Sequence, residues 1–243
     1  MYGVHLGYTR NPYDWRFMRG TPALVRLVGG LRKPRQPILG ADVAGQVETV
    51  GRNVTGFRPG DEVFALVPSR GCLAEYVSLP ENLLGAKPTN LTFEQAAAVP
   101  LAALTALQSL RDHGRIEPGE KVLINGYDLL VDNVGKRRLS DCRRVLNPDG
   151  VFILVAGLQP ITYWIGVPRM WVKVLSAALV WSQKVVLLPT VKPSQDDLRV
   201  MKELIESEKV TPVIDRTYPL SDTPEAIRYL EEGHARGKVV ITV

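Results

Sequence analysis

Residues 119–135 read GEKVLINGYDLLVDNVG. Lys121 to Asn125 and Leu129 to Asp132 are apolar runs of strand length, and Asn125-Gly126 lies between them. Asn-Gly between apolar runs is a strong short signal for a type I′ hairpin. Lys121 to Asp132 is therefore expected to form an antiparallel hairpin turning at Asn125-Gly126, or else one continuous strand. Downstream, Leu139 to Leu146 has a helical pattern and Asn147-Pro148-Asp149-Gly150 turns the chain. Val151 to Val155 is wholly apolar, as expected of a strand in a parallel sheet covered on both faces. The region is α/β in character.

Upstream, Thr92 with Gln95 three positions on has the capping-box spacing and opens an alanine-rich helix. Pro100 suits the first turn of a second helix, because its missing N–H would have no helical partner there. Leu101, Leu104, Leu107 and Leu110 give that helix an apolar face, and Gly114 is a natural stop. Before residue 90 the pattern is β. Val43 to Val50, Glu62 to Val67 and Cys72 to Leu79 are short β-prone runs, separated by turns such as Arg58-Pro59-Gly60-Asp61. Strands at this spacing suggest a barrel or sandwich. Towards the end, Ser194 caps a helix with Leu198, Met201, Leu204 and Ile205 on one face. Pro224 to Glu232 forms a last helix before Gly233, and Lys238 to Val243 a last strand.

The chain has 243 residues, 45% of them hydrophobic and 23% charged, which argues against disorder and fibrous repeats. The net charge of +5 is scattered, with short clusters at Arg32-Lys33-Pro34-Arg35 and Lys136-Arg137-Arg138. No basic stripe interleaved with aromatics marks a nucleic-acid surface. Cys72 and Cys142 define neither a disulfide framework nor a zinc cluster, and the opening MYGVHLGYTR holds no apolar core of signal-peptide length. A reducing, cytoplasmic setting is the expectation. The apolar segment 158–191 is interrupted by Lys173, Lys184 and prolines, so no run in it reaches the ~20 apolar residues of a membrane span. It is read as a buried helix and strand, and as a candidate homodimer surface.

Several segments taken in order resemble the medium-chain dehydrogenase/reductase family. They are PILGADVAGQVETVG (37–51), FRPGDEVFA (57–65), CLAEYV (72–77), AAAVPLAALTAL (96–107), GEKVLIN (119–125), LLVDNVG (129–135), VLNPDGVFILVAG (145–157) and GKVVITV (237–243). The resemblance implies a GroES-like β-barrel domain, residues 1–90 with 210–243, and a truncated Rossmann-type parallel-sheet domain, residues 91–209. Gly40-Ala41-Asp42 stands where zinc-dependent relatives carry Gly-His-Glu, and His5, His113 and His234 are isolated from the cysteines. A catalytic zinc takes about three protein ligands. The chain therefore looks like the zinc-independent, NADPH-dependent quinone oxidoreductases, with no metal site.

That likeness implies hydride transfer from NADPH to a quinone or an α,β-unsaturated carbonyl, with the protein aligning the reactants. Carried over by position, Thr105, Asn133, Val134, Gly135, Val155, Ala156, Gly157 and Lys238 are candidate cofactor contacts. Asn11 and Arg16 would line the substrate pocket, and no general acid is named. Plainer readings stand beside these. Thr105 could face the core, Gly135 and Gly157 could be strand-ending turns, and Lys238 could be a solvated lysine at a strand start.

The chain departs from the family after GEKVLIN. Relatives continue into a glycine-rich loop opening a helix whose N–H groups receive the pyrophosphate. Here Asn125-Gly126 runs directly into a segment matching the fourth sheet strand. On the order of 60 residues are missing, at about 30 per strand–helix unit. The position that reads the ribose 2′ group, which separates NAD from NADP, goes with them. Cofactor binding is expected to be weakened or lost. The ten residues ahead of Asn11 also match the family's opening strands poorly, so the barrel is expected to lack edge-covering strands. The alternative function is a non-catalytic remnant acting as an interaction or dimerisation module. A general acyl- or alcohol-handling relative is disfavoured by the missing zinc ligands.

Overall fold

The computed structural model describes residues 4–5, 8–10, 19, 38–67, 71–117, 127–132, 139–155, 184–187 and 191–243. They belong to two units, Met1–Leu104 with Lys192–Val243, and Thr105–Val191.

Among the described residues, the first unit is built on a seven-stranded sheet. Its strands are β1 (Val4–His5), β2 (Tyr8–Arg10), β3 (Asp42–Val47), β4 (Glu62–Leu66), β5 (Leu84–Ala86), β9 (Ile214–Pro219) and β10 (Lys238–Thr242). The order is β5-β4-β3-β2-β10-β9, with β1 also paired to β3. β10 and β9 run parallel, and the other pairs are antiparallel. The residues ahead of Asn11 do supply strands to this sheet. β2 lies mid-sheet, with Tyr8 opposite Val43 on one side and Ile241 on the other.

Val43, Val47, Val63, Ala65, Val239 and Ile241 form the core on this sheet, joined by Cys72, Val77 and Leu79. Cys72 to Leu79 is not a strand, however. The amides of Cys72 and Leu73 both donate to the Leu39 carbonyl, so this backbone is tied to a loop and not to a sheet ladder. Gly71 makes the return possible. Its φ is +70°, and a Cβ there would lie 2.1 Å from the Ile38 carbonyl oxygen.

α1 (Phe93–Ala97) begins with the expected reciprocal cap: Gln95 N–H donates to Thr92 Oγ1, and Thr92 N–H donates to Gln95 Oε1. α1 packs across β3, β2 and β10. α2 (Pro100–Gln108) follows at once and passes into a π-turn, Ser109–Gly114. Gly114 is not the left-handed cap. Arg115 takes that conformation, φ 52°, while a Cβ at Gly114 would meet Leu129 Cδ2 at 2.7 Å. Glycine is needed there for close approach.

In the second unit β6 (Tyr127–Asp132), β7 (Leu146–Leu154) and β8 (Lys184–Leu187) form a parallel sheet in that order, with α3 (Leu139–Val145) before β7. Phe152 and Ile153 are fully buried, as the apolar pattern predicts. The turn expected at Asn147–Gly150 lies inside β7 as a break in register. Tyr127 pairs with Leu146, yet Leu129 pairs with Val151. Asn147 Nδ2 donates to Asp128 Oδ1 across the break at 2.7 Å. The join at Asn125-Gly126 lies outside the described residues, as does most of the apolar segment 158–191. No helix among the described residues is long and apolar enough to cross a membrane.

α4 (Gln195–Glu206) belongs to the first unit, although the domain range 91–209 would put it in the second. Its apolar face explains the difference. Leu198, Met201 and Ile205 are buried, and a Cβ at Gly85 of β5 would meet Leu198 Cβ at 2.8 Å. Gln195 Nε2 also donates to the Leu84 carbonyl at 2.8 Å. α5 (Thr223–Glu232) ends at Gly233, and Asp215 at the β9 register slip accepts from its Tyr229 hydroxyl at 2.6 Å.

Candidate active site

In an open parallel sheet, ligands bind outside the carboxyl ends of the strands. Those ends are Asp132, Leu154 and Leu187, and they are in register: Asp132 pairs with Leu154, and Leu154 with Leu187. Val155, a candidate contact, is half-buried just past β7, and its N–H donates to the Asp132 carbonyl at 3.0 Å. The segments carrying Asn133-Val134-Gly135 and Ala156-Gly157 thus start from adjoining strand ends. Those five residues lie outside the described ones, as do Asn11 and Arg16. Asp132 itself is buried at this rim, 9% exposed. Sequence reasoning passed over it, although an acid closing an apolar run just before Asn-Val-Gly was the available signal.

Thr105 is half-buried on α2, one turn beyond Leu101. Lys238 opens β10 where the pairing with β9 slips by one residue, a kind of irregularity that re-aims side chains. Its ammonium is 3.6 Å from Asp42 Oδ2, with the lysine side chain 17% exposed and the aspartate fully buried. Asp42 Oδ1 accepts the N–H of Leu101 at 2.7 Å, in the first turn of α2. A carboxylate at a helix N-terminus answers both the unpaired amide and the positive end of the helix dipole. Lys238 therefore has a partner inside the chain, the buried Asp42, which the sequence reading did not pair with it. Its signal was one acid in the apolar run Ala41-Asp42-Val43-Ala44.

Donors for a metal are poorly placed around Gly40-Ala41-Asp42. The Asp42 carboxylate already faces an ammonium and an amide, and Ala41 has no ligand atom. His113 is half-buried on the π-turn and His234 is exposed beyond α5.

Two families match the chain. One described as zinc-binding dehydrogenase covers residues 105–241, and one described as alcohol dehydrogenase GroES-like domain covers residues 7–89. A mitochondrial protein of Homo sapiens named NAD(P)H oxidoreductase RTN4IP1 is 30% identical over 84% of this chain and 70% of its own length. A 2-methylene-furan-3-one reductase of Solanum lycopersicum is 31% identical, covering 86% and 64%. Among solved structures, the quinone oxidoreductase of Coxiella burnetii superposes with a TM-score of 0.82 at 21% identity, covering 100% of this chain and 89% of that one. The alignment with the NAD(P)H oxidoreductase of Bos taurus runs over 294 positions, more than the 243 residues of this chain, so that relative carries residues this chain lacks. With both domains matched and the sheet ends arranged as above, the chain belongs to the medium-chain dehydrogenase/reductase family and is quinone-oxidoreductase-like.

Proposed function

We propose that the chain is a zinc-independent reductase that uses NADPH on quinones or α,β-unsaturated carbonyls, and that it holds the cofactor loosely. The observation carrying this reading is the set of three parallel strands with carboxyl ends in register, rimmed by Asp132 and Val155. When bound, the nicotinamide would supply a hydride. Residues 133–135 and 155–157 would hold its ring end, with Thr105 a further contact.

The registered strand ends and the Val155–Asp132 hydrogen bond support that half, and the sequence lacks the other. Nothing in 119–135 offers the glycine-rich turn whose amides would receive the pyrophosphate. The names of the relatives, which include an NADPH-dependent alkenal/one oxidoreductase of Arabidopsis thaliana, support the substrate class and the choice of NADPH. Metal independence is supported by the engagement of Asp42 with Lys238 and Leu101. A cytoplasmic setting and a homodimer remain part of the proposal.

The test is oxidation of NADPH by the purified chain with a quinone or an enone, with and without a chelator. Saturable turnover that is indifferent to chelator is expected. Turnover lost on chelation would remove zinc independence. A chain that neither turns over nor binds NADPH would be the non-catalytic module instead.

A further inference from the structure

β3 and β10 are not neighbours, because β2 lies between them, yet their side chains meet. Asp42 pairs with Thr9, and Thr9 with Val240, so the Lys238 ammonium reaches the Asp42 carboxylate diagonally across β2. α1 lies over the same three strands. The chain then enters α2, whose Leu101 amide ends on Asp42. A fully buried carboxylate is thus tied at one oxygen to the sheet and at the other to the first turn of a helix.

A buried carboxylate without a counter-charge is strongly unfavourable, and the Lys238 ammonium supplies one here. A charged acceptor also makes a stronger hydrogen bond than a neutral one. α2 carries Thr105 four residues past Leu101, about 6 Å along the axis at 1.5 Å per residue. A shift in the first turn of α2 is therefore transmitted directly to Thr105.

We infer that Asp42 and Lys238 are positioning residues that fix the start of α2, and through it the setting of Thr105 towards the cofactor. The role of Thr105 rests on the reductase reading above. The anchoring of α2 does not.

Two paired replacements in the full chain test this. Asp42→Leu with Lys238→Met removes both charges and the acceptor while filling similar volume. Asp42→Asn with Lys238→Gln removes the charges but leaves an oxygen for the Leu101 amide. Hydrogen exchange of the amides from Leu101 to Thr105 is read in both, beside melting temperature and NADPH turnover. The apolar pair is expected to lose at least tenfold protection at Leu101 and to lower kcat at least tenfold. The amide pair is expected to keep protection at Leu101 within about threefold, because one neutral hydrogen bond remains. Protection at Leu101 unchanged in the apolar pair would overturn the inference. So would turnover that followed melting temperature alike in both pairs. If the unaltered chain shows no turnover while exchange changes as expected, the reductase reading fails and the anchoring of α2 stands.

Discussion

Glu206 gathers three hydrogen bonds on one carboxylate oxygen: from Lys202 Nζ at 2.7 Å, and from the Thr89 amide and hydroxyl at 2.9 Å each. The Lys202 bond, followed by the two from Thr89, holds its pKa down to about 2 from the usual 4.5. A depressed carboxylate pKa contributes stability that is present above the ordinary value and is lost as pH falls through the folded value. Thermal melts should show the chain losing stability between about pH 4.5 and 2. In Glu206→Gln the melting temperature should fall by a few degrees at pH 7, with the gap to the unaltered chain closing near pH 2. A gap that stayed constant with pH would contradict this account. At Gly71, the positive φ and the Ile38 carbonyl in the way of any Cβ leave no room to relax. Gly71→Ala should cost roughly 2 kcal/mol or more in urea unfolding. Neither residue was legible beforehand. The two Thr89 bonds to Glu206 span 117 positions of sequence, and the need for glycine at 71 comes from a loop that folds back on Ile38.

Elements defined by local chemistry were the legible ones. The Thr92–Gln95 box, Pro100 at a helix start, the Ser194 cap and the stop at Gly233 all depend on residues within one turn of each other, and all four stand as read. Elements defined by partners were harder to read. Cys72 to Leu79 has β-prone composition, but its first two amides go to Leu39, and β2 gains its central place from strands far away in sequence. The π-turn at the end of α2 shows the same dependence, since Gly114 answers to Leu129 on β6. Gly114→Ala should cost about 1 kcal/mol or more by pressing on that leucine. Leu129→Ala should cost about 2–5 kcal/mol alone. Together they should cost less than their sum, because the cavity receives the added methyl. Strict additivity in urea unfolding would contradict the contact.

For the whole molecule, the division into two units follows the packing of helices. α1 and α4 both lie on strands of the large sheet, so the second unit, Thr105–Val191, is smaller than the range 91–209. The candidate site divided along similar lines. Motifs point to Thr105, Val155 and Lys238 as candidates, while the settings of Asp42 in the first unit and Asp132 in the second follow only from strand pairing. The central claim is a cofactor site with its nicotinamide end kept and its pyrophosphate cradle gone. It is tested most directly by fluorescence titration of the chain with NADPH and, separately, with reduced nicotinamide mononucleotide, which lacks the adenosine half. The account predicts saturable binding of both, with NADPH at or above ~0.1 mM, the weak side of the usual ~1 μM–1 mM range for enzyme substrates, and the two affinities within about tenfold, or 1.4 kcal/mol. NADPH bound at micromolar levels and hundreds of times more tightly than the mononucleotide would contradict it.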